Sequence, residues 1–222
     1  MSSLKSPPMS RGARSRSLQM LVGLALGGLA GVAIASAAKA GLMPDPSNLT
    51  WSQAGGLVLA VMLGGAGLLV TAVSFSGRMT ARAMDPDGNG APRPGQTSFY
   101  RQQGIILLLA GLMMGAPVVA QLMFDPVPHM LASAIMMGLV AMALVQTAFN
   151  LSIWTQADEM MRRMIAEAGA ICFWVLQAIF FLWAAAEVLG LAPKLSSWDL
   201  MVALMAFYLV TSSVLSIRRG FA

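Results

Sequence analysis

The sequence predicts an all-α fold: a polytopic membrane bundle of six transmembrane helices, paired as three hairpins, with both termini cytoplasmic. Three observations predict it. The composition is too apolar to clothe a water-facing surface, six apolar runs are long enough to span a bilayer, and Lys and Arg crowd into alternate connections.

The chain is 57% hydrophobic and 10% charged, against about 25% charged in an ordinary soluble domain. Lipid is the solvent that such a surface suits. The single cysteine, Cys172, rules out an intrachain disulfide, and no Cys/His set has zinc spacing. Nineteen Met are scattered through the apolar runs, where their flexible thioethers fill gaps between helices. No cofactor is expected.

Crossing the hydrocarbon core takes roughly 20 apolar residues in helical form. The runs 18–42, 55–75, 105–124, 130–154, 166–191 and 200–217 all qualify, and none carries a charge near its middle. Short connections follow the first, third and fifth runs: "MPDPSNLTW", "DPVPH" and "APKLSSWD". Each contains Pro, which lacks an N–H and suits helix ends. The divisions that follow are a disordered basic segment 1–17, a first hairpin 18–77 and a connection 78–103 with a flexible stretch 84–97. A second hairpin then covers 104–154, and a charged helix start, third hairpin and short basic tail cover 155–222.

Basic residues set the orientation. Lys5, Arg11, Arg14 and Arg16 precede the first run, and Arg78, Arg82, Arg93 and Arg101 lie between the second and third. Arg162 and Arg163 lie between the fourth and fifth, and Arg218 and Arg219 end the chain. Only Lys39 and Lys194 fall on the other side. Short basic loops stay cytoplasmic, so both termini are inside, as in a bacterial inner or plasma membrane. The same placement accounts for the +5 net charge without nucleic acid. Trp51, Trp154 and Trp198 fall at the expected interfaces, where an amphipathic ring is most comfortable. A competing reading takes "ASAAKA", residues 35–40, as a signal-peptide cleavage site. The preceding run is too long and too rich in Gly for a signal core, so a retained helix is expected.

In "MDPDGNGAPRPGQT", residues 84–97, Gly and Pro leave nothing to bury, so a mobile cytoplasmic loop is expected. The first and last hairpins resemble each other weakly: "AGLMPDPSNLTW" and "LGLAPKLSSWDL" share a Gly-Leu-x-Pro exit and an interfacial Trp. The common needs of a turn and an aromatic anchor explain this without an internal repeat.

Small residues recur every four positions in the first three runs: Gly23, Gly27, Gly31 and Ala35, then Gly56, Ala60 and Gly64, then Gly111 and Gly115. That spacing makes one stripe along a helix and lets backbones approach closely. In lipid the hydrophobic effect does not drive helices together, so close packing must do much of that work. The stripes serve the internal bundle or contacts with a second copy or another membrane protein.

A polar set interrupts the later runs. Gln146 and Asn150 share a face of the fourth run. Gln177 on the fifth lies at a depth similar to Gln146, with Glu167 nearer the cytoplasmic end. Amides at matching depth can bond across a helix pair, which is the ordinary use of such residues in membranes. The sharper reading makes Gln146, Asn150, Glu167 and Gln177 a polar pathway open to the cytoplasm. At the junction, Thr155 and Asp158 suit a helix start. Asp158–Arg162 and Glu159–Arg163 have the spacing and order of favourable ion pairs.

Asp125 and His129 are too few for a metal site, which needs three or four protein ligands. Lys39 and Glu187 lie near helix ends, where they can pair or snorkel. Asn48 begins a three-residue sequon too common by chance to use, and Pro117 is expected to kink the third helix. No Ser–His–Asp set, phosphate loop or HExxH is present. The expected role is that of a non-catalytic membrane component acting through protein–protein contacts. A small transporter or channel built on Pro117 and the polar set is the alternative.

Overall fold

The computed structural model describes residues 49–76 and 96–218, together with Val32 and Ser36. Among the described residues the fold is all-α, with five helices and no strand. They are α1 (Trp51–Ser74), α2 (Gln96–Met123), α3 (His129–Gln156), α4 (Glu159–Val188) and α5 (Ser197–Arg218). All five are long and apolar enough to cross a membrane. The run 18–42 with Gly23, Gly27 and Gly31, the stretch 84–97 and the terminal segments 1–17 and 219–222 lie outside the described residues, apart from Val32, Ser36 and the first two residues of α2.

Helix starts follow from local chemistry. At α1, Thr50 Oγ1 accepts from Gln53 N at 3.3 Å, while Gln53 Oε1 accepts from Thr50 N at 3.0 Å. Two N–H groups that the helix cannot satisfy internally are thereby satisfied. At α5 the exchange recurs: Asp199 N donates to Ser196 Oγ at 3.1 Å, and Ser196 N donates to Asp199 Oδ2 at 2.7 Å. Asp158 caps α4 by accepting from Met161 N at 2.7 Å. α4 ends where Gly190 turns left-handed at φ 72°. Its neighbours then bond back, Leu191 N to Ala186 O at 2.8 Å and Gly190 N to Glu187 O at 3.1 Å. Gly tolerates that conformation without a Cβ penalty.

The helices exceed the apolar runs at their water-side ends. α2 begins at Gln96, well before the apolar stretch, because "QTSFYRQQ" carries no Pro or Gly to stop it. α4 begins at Glu159, and the turn from α3 is confined to Ala157 and Asp158. Pro117 sits inside α2, and the helix continues through it to Met123.

Packing runs in the order α3–α2–α1–α5–α4, each helix meeting its neighbour in that series. The closest association is α1 with α2. The core lies among α1, α2 and α5: Leu59, Met114 and Val202 are buried together, with Ala60, Trp198, Met205, Ala206 and Leu209 packed around them. Val118 is the most deeply buried side chain among the described residues. α3 and α4 stand at the two ends of the series. α3 buries only Ile153, and α4 buries Ala168, Cys172 and Leu176 against α5.

Candidate functional site

Glycines decide how α1 and α2 meet. A Cβ added at Gly111 would stand 2.5 Å from Gly64 N and 2.7 Å from Ala60 O. One added at Gly67 would collide with Leu108 N and lie 2.8 Å from Gly104 O. One at Gly104 would strike Thr71 Oγ1 and lie 2.8 Å from Thr71 N. These are backbone-to-backbone approaches, which only absent side chains allow. Of the expected stripe, Gly111 is central, and a Cβ added at Gly115 would lie 3.2 Å from Ala60 Cβ. Gly64 contributes differently: its own Cβ direction is open, and its bare backbone receives Gly111. A Cβ added at Gly56 would lie 3.4–3.5 Å from Trp198 and Val118, so this glycine borders α5 as well as α2. Gly67 and Gly104 were outside the four-residue pattern. The signal that finds them is a seven-residue spacing, with Gly104 and Gly111 on one helix and Ala60 and Gly67 on the other.

Polar groups gather where α1 and α5 begin. Gln53 Nε2 donates to Gln121 Oε1 at 3.4 Å, joining the start of α1 to the end of α2. Ser52 is buried beside the Asp199 carboxylate and 3.4 Å from Thr50 Oγ1. Trp198 Nε1 is enclosed without a partner. Gln53, Gln121 and Ser52 were not singled out from sequence. The capping patterns Thr50-x-x-Gln53 and Ser196-x-x-Asp199 mark the place, but nothing in the sequence shows that the two starts lie side by side. At the opposite end, Thr71 Oγ1 and Gln102 Oε1 are buried without hydrogen-bond partners.

The charged junction between α3 and α4 is built otherwise than the spacing suggests. Arg162 turns back across the junction, Nε donating to Trp154 O at 2.9 Å and Nη2 to Thr155 O at 3.0 Å. Carbonyls at a helix C-terminus have no internal donor and carry the negative end of the helix dipole, so a guanidinium placed there is stabilised on both counts. Thr155 belongs to α3, its hydroxyl donating to Ser152 O at 2.9 Å, so the capping falls to Asp158 alone.

Among the expected polar set, Gln146 is half-buried and Asn150 exposed on α3; Glu167 is half-buried and Gln177 exposed on α4. α3 and α4 are not a closely packed pair, and Gln146 makes no hydrogen bond to Gln177. Glu187 Oε2 accepts from Leu195 N at 3.4 Å, tying the end of α4 to the connection ahead of α5. Trp183 Nε1 donates to Pro193 O at 3.2 Å across the same connection. His129 opens α3, and its carbonyl accepts from Ser133 Oγ at 2.9 Å. Among the described residues no three His, Cys, Asp or Glu side chains stand close enough to hold a metal ion.

What this arrangement offers chemically is hydrogen bonding at helix ends and unsatisfied amides on exposed helix faces. Comparison with protein-family models, with curated proteins and with solved structures finds no match to the chain.

Proposed function

We propose that the chain is a non-catalytic component of a bacterial inner membrane, crossing it six times with both termini cytoplasmic and acting through contacts with other protein. The carrying observation is the exposure of amides on α3 and α4. Asn150 and Gln177 lie within spanning helices yet face outward from the chain. An amide left unbonded in hydrocarbon costs several kcal/mol, roughly 4–8 on the scale where nothing can hydrogen-bond. Interhelical bonding to another protein removes that cost. Among the described residues the ends of the helix series are open to such neighbours, since there α3 meets closely only α2, and α4 only α5.

The test is purification in mild detergent, with the mass of the intact particle measured alongside solute and proton flux in proteoliposomes. A stoichiometric assembly without flux supports the proposal. A single-chain particle that conducts or transports would replace it with the transporter reading.

A further inference from the structure

We infer that α4 carries a self-complementary seam for a second copy of this chain, centred on Gln177. The inference rests on the protein-contact reading above and names the partner. On α4 the buried positions Ala168, Cys172 and Leu176 face α5. Roughly 160° around the helix, at 100° per residue, lie Ala170, Trp174, Gln177, Phe181, Ala184 and Val188. All six are exposed, Trp174 at 69%, Phe181 at 70% and Val188 at 87%. Their spacing alternates four and three, the repeat that keeps one helix face against a partner helix over many turns. The strip is about 27 Å long at 1.5 Å per residue, close to the thickness of the hydrocarbon core.

Lipid can cover the apolar members of this strip but not its centre. Gln177 sits near the midpoint of the apolar run 166–191 and forms no hydrogen bond in the single chain. Its amide holds both an acceptor oxygen and donor hydrogens. Two copies related by a twofold axis along the membrane normal bring the two amides to one depth, each donating to the other. An isologous contact of this kind needs only one surface patch. Ala170 and Ala184, one heptad either side, leave space for the helices to close, and Trp174 and Phe181 supply the flanking bulk. A polar side chain at one seam position also fixes register, because any slip leaves both amides unpaired.

Cross-linking in native membranes tests the seam. In a Cys172→Ala background, Ala184→Cys should give a disulfide-linked dimer under a mild oxidant. The otherwise unaltered protein, whose Cys172 is buried against α5, should not. Adding Gln177→Leu should leave folding intact and weaken the dimer, read as dissociation constant in detergent, by roughly three- to twentyfold. Gln177→Asn should retain more of it than Gln177→Leu. Absence of a linked dimer at Ala184, or a dimer indifferent to Gln177→Leu, would overturn the seam. If the purified particle still contains a different protein in fixed stoichiometry, the seam alone has failed and the broader protein-contact reading stands. A bare single chain removes both.

Discussion

At Gly111 the absence of one carbon atom sets the separation of two helices. Any β-carbon there meets main-chain atoms of Ala60 and Gly64, which cannot swing aside as a side chain would. Gly138 and Gly169, by contrast, have nothing within 4 Å of the same position. Gly111→Ala should therefore destabilise the protein by about 1–3 kcal/mol, the usual cost of overpacking. Gly138→Ala and Gly169→Ala should be neutral or slightly stabilising, since Ala is the better helix former. Gly64→Ala is the informative control: it belongs to the same sequence stripe, yet its Cβ would enter open space. Thermal unfolding in detergent ranks the four, and equal melting of Gly64→Ala and Gly111→Ala would mean that the helices do not cross as described.

The helices are bounded by side chains that substitute for missing backbone partners. Asp158 is the clearest case, because its carboxylate alone caps α4 while Arg162, one turn on, closes α3. Together they compress the change of helix into two residues between Gln156 and Glu159. Removing the cap with Asp158→Ala should cost about 1 kcal/mol, whereas Asp158→Asn, which keeps an acceptor oxygen, should cost far less. Amide hydrogen exchange at Met160 and Met161 reads this directly: faster exchange in the Ala variant and near-normal exchange in the Asn variant are expected. Equal exchange in all three proteins would remove Asp158 as the cap.

At the scale of the molecule, among the described helices, α1, α2 and α5 form a core held by close approach, and α3 and α4 lie outside it with most of their residues exposed or half-buried. The proposed topology places the connection between α4 and α5 outside and the connection between α1 and α2 inside. With Cys172 replaced by Ala, a cysteine at Ser196 should react with an impermeant maleimide added to intact cells, and one at Asn89 should react only after permeabilisation. Labelling of Asn89 in intact cells would invert or break the proposed six-helix arrangement. The asymmetry rests on twelve basic residues against Lys39 and Lys194, and charge of this kind governs how short loops are retained.

Run length and composition determined by themselves that the described helices exist, because uninterrupted apolar runs of about 20 residues are the length a helix needs to cross lipid, and a helix satisfies its backbone within the run itself. The close approach of the second and third runs was also legible, since Gly56, Ala60, Gly64, Gly111 and Gly115 repeat at helical spacing. Where those runs end was legible at α4, whose charged start at Asp158 was expected, and less so at α2, whose polar flank continues the helix ahead of the apolar run, which hydropathy does not register. Which helices become neighbours was decided only by the tertiary structure. Gln146 and Gln177 match in depth, but depth is one coordinate, and α3 and α4 fall at opposite ends of the packing order. Likewise nothing local links Gln53 to Gln121, or Ser52 to Asp199; their meeting requires α1 to lie against both α2 and α5. Sequence periodicity specifies the face a helix offers, while the partner for that face depends on which backbones fit most closely, and that is a property of pairs.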